Sequence, residues 1–201
     1  MNKDSLLNKF GTIKSDLKNI LLSDQELLQL LGSWEDDPLN DEPISPKYIL
    51  NKHLFFTPKS INDVDSDGKT LISKEKCILM FDNSMESIGD GMAIVNIKPI
   101  VIMYNNLLEI DLDNEEIHMD RMDAIFDKLN TLLIRDNDNV NGISRKNGFA
   151  WAGMDTFTLK KLANLSSTPF DVIGMYAVYQ TRIYTNNHFG EVNYAKQNKF
   201  K

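Results

Sequence analysis

The densest run of chemistry-bearing residues in the chain is Asp63-Val64-Asp65-Ser66-Asp67-Gly68. Carboxylates at alternate positions before a glycine can converge on a hard cation, as in D-x-D-x-D-G calcium loops. The pattern here is incomplete. The closing bidentate glutamate belongs at the twelfth position, which is Lys74, and Glu75 comes one residue late. Pro58 and the absence of a helical stripe before the run also remove the flanking helix. A solvated hairpin turn, with Asp67-Gly68 supplying the positive φ angles, accounts for the same residues. Asp63, Asp65 and Asp67 are therefore the only metal candidates, and the reading expects no bound metal and no cofactor.

The remaining reactive side chains do not group. Asn137-Asp138-Asn139-Val140-Asn141-Gly142 reads as a flexible loop. His53, His118 and His188 lie far apart, none with a second histidine or cysteine at ligand spacing. The single cysteine, Cys77, excludes an intrachain disulfide, and its apolar run Cys77-Ile78-Leu79-Met80-Phe81 predicts a buried, inert thiol. There is no G-x-S-x-G elbow, P-loop or dinucleotide fingerprint. Lys74-Glu75-Lys76 departs from the glutamate-x-lysine arrangement of metal-dependent nucleases. The pairs Asp111 and Asp113, and Glu115 and Glu116, suit the positive end of a helix better than acid–base work. No catalytic residue is assigned, and the expected protein is not an enzyme.

Charge narrows the partners. Twenty-two basic against 29 acidic side chains give a net charge of −7, the wrong sign for gripping a phosphate backbone. The internal basic doublets Arg145-Lys146 and Lys160-Lys161 lie near Phe149, Trp151 and Phe157, but those aromatics fall at strand-like spacing and suit a core. Apolar stretches such as Ile100-Val101-Ile102-Met103-Tyr104 are far short of the ~20 residues of a membrane helix. With no apolar leader after Met1-Asn2-Lys3-Asp4, the expectation is synthesis in the cytoplasm and no membrane partner.

The elements that must position these residues follow from periodicity. The 201 residues suit one domain: helices over residues 1–32, an extended arm over 33–60, an α+β core over 61–185 and a flexible tail over 186–201. Leu7, Phe10, Ile13, Leu17, Ile20 and Leu21 fall at helical spacing. Ser23-Asp24-Gln25-Glu26 reads as a capping box opening a second helix, with Leu27, Leu28, Leu30 and Leu31 as its stripe and Gly32 as a left-handed stop. Pro38, Pro43, Pro46 and Pro58 forbid a long helix in the arm, which has room for one short strand near residues 53–56. Strands are expected over 78–81 and 93–104, with a turn over 85–91 between them. Pro99 places the second strand at an edge or bulge. A helix starts from the acidic run 111–116, its stripe being Met122, Ile125, Phe126, Leu129, Leu132 and Leu133. A hairpin over 149–151 and 157–162 follows, with a helix over 157–162 as the alternative. Alternation then predicts a strand over 172–185, with Ile173, Met175, Ala177, Tyr179 and Ile183 on one face. The fold class is α+β, a mostly antiparallel sheet flanked by helices, with an N-terminal helical pair and an extended proline-rich arm.

In its order of elements the chain resembles the head–tail connector (neck) proteins of tailed bacteriophages, tail terminators in particular. The resemblance is carried by the helix ending Leu27-Leu28-Gln29-Leu30-Leu31-Gly32, the proline-rich arm, the long strand over 93–104, the helix over 117–134 and the terminal strand over 172–184. It covers residues 14–185 and rests on no diagnostic motif; the arm and the loop over 135–148 are longer than a small terminator needs. It implies a structural virion protein, a homo-oligomer of six or more copies in a ring. That ring would meet other neck, connector or tail-tube proteins and let DNA pass through its lumen without specific binding. It also implies an interface built in part by the arm, at Trp34, Pro38, Pro43, Pro46 and Tyr48. The alternative is a small calcium-binding or protein-interaction module using residues 63–68.

Overall fold

The computed structural model describes residues 5–33, 35, 37–60, 63–73, 76–89, 91–110, 119–133 and 172–185, and the backbone alone of 150–151 and 158–162. The fold is α+β, with helices gathered toward the N-terminus and a mixed, mostly antiparallel sheet.

Helix α1 (Leu6–Ser23) begins at Ser5, whose hydroxyl accepts the Asn8 N–H at 3.2 Å. Ile13, Leu17 and Leu21 are fully buried, whereas Leu7 is 71 % exposed. At 100° per residue Leu6, not Leu7, falls on the buried stripe. Helix α2 (Gln25–Gly32) is capped one residue later than the capping-box pattern predicts. Asp24 accepts the Leu27 N–H at 2.9 Å, while Ser23 closes α1 by donating back to the Ile20 carbonyl. Glu26 is thereby free to pair with Lys128 of the last helix. Gly32 is not a left-handed stop either; it is the final helical residue. It is glycine for want of room, since a Cβ there would lie 2.6 Å from Ile49 Cδ1 and 2.9 Å from Ile44 Cδ1.

The strands are β1 (Leu54–Phe55), β2 (Ile78–Phe81), β3 (Ser84–Gly89), β4 (Met92–Ile97), β5 (Pro99–Tyr104), β6 (Ala150–Trp151), β7 (Thr158–Leu162) and β8 (Val172–Tyr184). β4 and β5 are two halves of one strand. They face β8 in a single register, from Met92 opposite Tyr184 to Tyr104 opposite Val172. β2 and β3 line the other side of that strand in the same manner, from Ile78 opposite Ile102 to Ser87 opposite Ala93. The short β1 adds to β2 in parallel.

Three expectations are corrected here. Residues 84–89 form a strand, and Gly91, just beyond it, takes φ +74°. β3 is exposed along nearly its whole length, so it lacks the apolar alternation by which strands are read. Pro99 is neither at an edge nor at a bulge. It opens β5, between β2 and β8, where strands tolerate a residue without N–H. The break is closed by the Asp82 N–H donating to the Lys98 carbonyl at 2.9 Å. Finally, β6 and β7 do not pair with each other as a hairpin; both run antiparallel to β8.

Odd-numbered residues of the central strands face the helices. Leu79, Phe81, Ala93, Val95, Ile97, Val101 and Met103 pack with Met175, Ala177, Tyr179 and Ile183 against α1, α2 and the last helix. At the β2–β5 end the opposite face is also covered, Ile78, Met80 and Ile102 meeting Phe55, Leu71 and Val172. That helix, α4 (Arg121–Leu133), starts later than the acidic run suggests. Asp120 accepts the Asp123 N–H at 2.8 Å and serves as its cap. Residues 111–116 lie outside the described part of the chain. No helix among the described residues is long and apolar enough to cross a membrane.

The arm is extended but laid along its own chain, where its composition alone suggests a segment needing a neighbouring subunit. Gln29 Nε2 donates to the Asp41 carbonyl at 2.7 Å, and Ser33 Oγ donates to the Asp41 carboxylate at 2.7 Å. A single turn, α3 (Pro46–Ile49), is capped by Ser45 and drives Ile49 into the core. Arg121 ties the start of the arm to the segment before α4. Its guanidinium, 1 % exposed, donates to the carbonyls of Leu107, Leu30, Ser33 and Glu35 at 2.6–3.0 Å.

Candidate functional site

Two stretches of chain, residues 48–53 and residues 65–73 with Lys76, enclose a cleft of about 520 Å³. One wall comes from the arm, where α3 presents Tyr48 and the following turn presents Lys52 and His53. The other comes from the acidic turn, with Asp65, Asp67, Lys69 and Thr70, closed by Ser73 and Lys76. The walls are joined by backbone, the Ser66 N–H donating to the Asn51 carbonyl at 3.2 Å. Asn51 itself has φ +64°, a conformation that asparagine tolerates better than most residues.

The acidic turn is a tight one. Val64 and Thr70 bridge, Asp65 exchanges backbone hydrogen bonds around the corner, and Gly68 takes φ +74°. Its three carboxylates go to three different places. Asp65 turns inward, accepting the N–H groups of Asp67 and Lys69 at 2.8 and 2.9 Å and the Lys76 ammonium. Asp67 pairs with Lys52 at 2.7 Å, and Asp63 accepts the Ser60 N–H at 2.9 Å. No group of three or more His, Cys, Asp or Glu side chains among the described residues is gathered to hold a metal. Burial by itself raises the Asp65 pKa, but Lys76 and the two backbone donors outweigh it and hold the carboxyl at about 2.

His53 forms the back of the cleft. Burial pushes its imidazole below the ordinary 6.5, against the pull of the Cys77 carbonyl, and Lys76 and Lys52 push the same way as burial. The ring is neutral at pH 7, its Nδ1–H donating to the Cys77 carbonyl at 3.0 Å. Tyr48 stands over it with ring centroids 5.6 Å apart, and the Lys52 ammonium lies 5.0 Å from the Tyr48 ring.

These shifts fix a pH profile. Below about 6.5 the unfolded chain takes up a proton that buried His53 refuses, so the stability present above that pH declines on acidification. Asp65 contributes stability above 3.8, on the order of 1–2 kcal/mol, lost as pH falls through about 2. The melting temperature of the wild type is expected to fall between pH 7 and 5, and that of His53→Asn to fall less, since the amide can still donate to Cys77. Parallel profiles for the two proteins would refute the assignment.

The other residues singled out from the sequence are scattered. Cys77 is buried and its thiol pKa is pushed up to about 12 by desolvation. Pro38 is buried, whereas Pro43, Pro46 and Tyr48 are exposed along the arm. Trp34, His118, His188, the run 137–142 and the doublet Arg145-Lys146 lie outside the described residues, as do Phe149 and Phe157. The side chains of Trp151, Lys160 and Lys161 do too. What the sequence does not disclose is that the interface candidate Tyr48 and the metal candidates Asp65 and Asp67 share one cleft. A lysine at each side of it (Lys52 and Lys76) is the only signal, and lysines are common.

A second exposed feature is the outer edge of β3, which pairs with no strand but β4 among the described residues. Comparison of the chain with protein-family models, with curated proteins and with solved structures gives no match.

Proposed function

We propose that the protein is a structural virion subunit of the bacteriophage neck, of the tail-terminator kind. It would assemble as a homo-oligomeric ring of six or more copies between head and tail. The observation that supports this reading best is the β3 edge. Ser84, Glu86, Ser87, Ile88 and Gly89 are exposed, Ile88 by 40 %, and no lysine or proline blunts the strand. Natural proteins guard such edges or use them, and strand addition from a second copy uses main-chain hydrogen bonds that need no special side chains. The bulge between Ser87 and Gly89 bends the strand and limits the length over which a second copy pairs. Pro43, Pro46 and Tyr48 on the arm offer a second contact, and the net charge of −7 suits a lumen that DNA crosses without sticking. Other neck, connector or tail-tube proteins are the expected partners.

Native mass spectrometry tests the proposal. Wild type is expected as one closed oligomer, and the double variant Ser84→Lys, Ile88→Lys as a monomer with an unchanged circular-dichroism spectrum. A wild-type chain that stays monomeric at every concentration up to the millimolar range defeats the ring reading. A ring that survives the lysines defeats the β3 interface alone. The second reading, an interaction module using residues 63–68, is favoured by the cleft those residues wall.

A further inference from the structure

We propose that the cleft between the arm and the acidic turn binds a small multiply charged oxyanion of the phosphate class. The proposal is independent of the ring.

The charges of the cleft are layered. Deep in it, Lys76 and Asp65 neutralise each other, their side chains 13 % and 2 % exposed, and Asp65 is held by backbone donors as well. That pair is part of the wall. At the mouth stand Lys52, Asp67 and Lys69, which leave one positive charge in excess. Lys69 is exposed and makes no ion pair among the described residues. Among the described residues Lys52 makes one ion pair, with Asp67, a carboxylate 46 % exposed, beside its contact with the Tyr48 ring, and a surface pair of this kind is worth at most about 1 kcal/mol. A dianion entering the mouth can take over Lys52 from Asp67 and bind Lys69 at the same time, with the hydroxyls of Thr70 and Ser73 as further donors. The overall charge of −7 does not prevent this, because carboxylates beyond about 8–10 Å are screened at physiological ionic strength. The volume lies within the range of small-molecule sites. A cation is the wrong guest, since the one inward carboxylate already has three donors.

The role of Asp67 makes the idea testable, because it competes with the ligand. Pyrophosphate is titrated into the full-length ¹⁵N-labelled protein and followed by amide chemical shifts, with chloride held constant. Saturable shifts are expected in residues 48–53 and 63–73. Lys69→Ala is expected to weaken binding about tenfold or more. Asp67→Asn is expected to tighten it severalfold, although it breaks an ion pair. Lys18→Ala, an exposed lysine on α1, is the control and should change nothing. Both informative substitutions are at the surface, so folding is not at stake. Shifts that fail to saturate, that spread over all lysines, or that weaken in Asp67→Asn as they do in Lys69→Ala would each overturn the proposal.

Discussion

Replacing Arg121 with methionine is expected to lower the stability of the protein by about 3–5 kcal/mol, a large part of the 5–15 kcal/mol typical of a domain. Methionine keeps most of the length and the apolar stem, so the loss isolates the guanidinium. Three carbonyls would lose this donor in the interior, those of Leu107, Leu30 and Ser33, and a fourth, that of exposed Glu35, at the surface. Hydrogen bonds to a charged donor contribute about 1.5–3 kcal/mol each, though not additively, and a buried acceptor left without a partner costs its full desolvation. The charge itself is well placed. Leu30 and Ser33 lie at the C-terminal end of α2, where the helix dipole is negative. Arg121→Lys is expected to lose about half as much, because a compact ammonium reaches fewer of the four acceptors. Urea denaturation followed by far-ultraviolet circular dichroism measures both. An Arg121→Met protein within 1 kcal/mol of wild type would show that the four carbonyls find water or other donors, and the arm's anchorage would have to be sought elsewhere.

Arg121 also marks where reading the sequence stops. As a sequence it is an ordinary charged residue before an apolar stripe, and nothing local says that its partners are residues 30–35 and 107. Gly32 is similar: a glycine after a leucine-rich helix reads as a stop, whereas here it makes room for Ile44 and Ile49 of the arm. Both belong to the docking of the arm, a long-range event that leaves no periodic trace. Strands buried on one or both faces were legible from their spacing, as β8 and the β4–β5 pair show, because burial imposes the pattern. β3 carries none because Met85 alone of its six residues reaches the core. The acidic turn was legible as a turn, from its Asp-Gly, but not as one wall of a cleft, since the opposite wall is supplied by the arm.

The second large effect is expected at Phe81, where Phe81→Ala should destabilise the protein by about 3–5 kcal/mol. Phe81 is the last residue of β2, fully buried, opposite Pro99. Its ring stacks on Phe56, the centroids 5.6 Å apart and the planes 7° from parallel. Alanine removes the ring from a site walled by strand on one side and arm on the other, so the gap cannot readily collapse. Phe81→Leu, which keeps much of the volume, should cost about 1–2 kcal/mol. The position has a further consequence. The β2–β3 strand continues past Phe81 with the Asp82-to-Lys98 hydrogen bond across the break, so packing at Phe81 adds to the Ser84–Asn96 pairing in holding the start of β3. In Phe81→Ala the amides joining β3 to β4 are expected to gain more in exchange rate over wild type than those joining β4 to β8, whose pairing is kept. If β3 is the surface through which copies join, the same variant assembles poorly at temperatures where its helices are still folded. Uniform acceleration of exchange across all three strands would mean that β3 has no independent anchorage at Phe81.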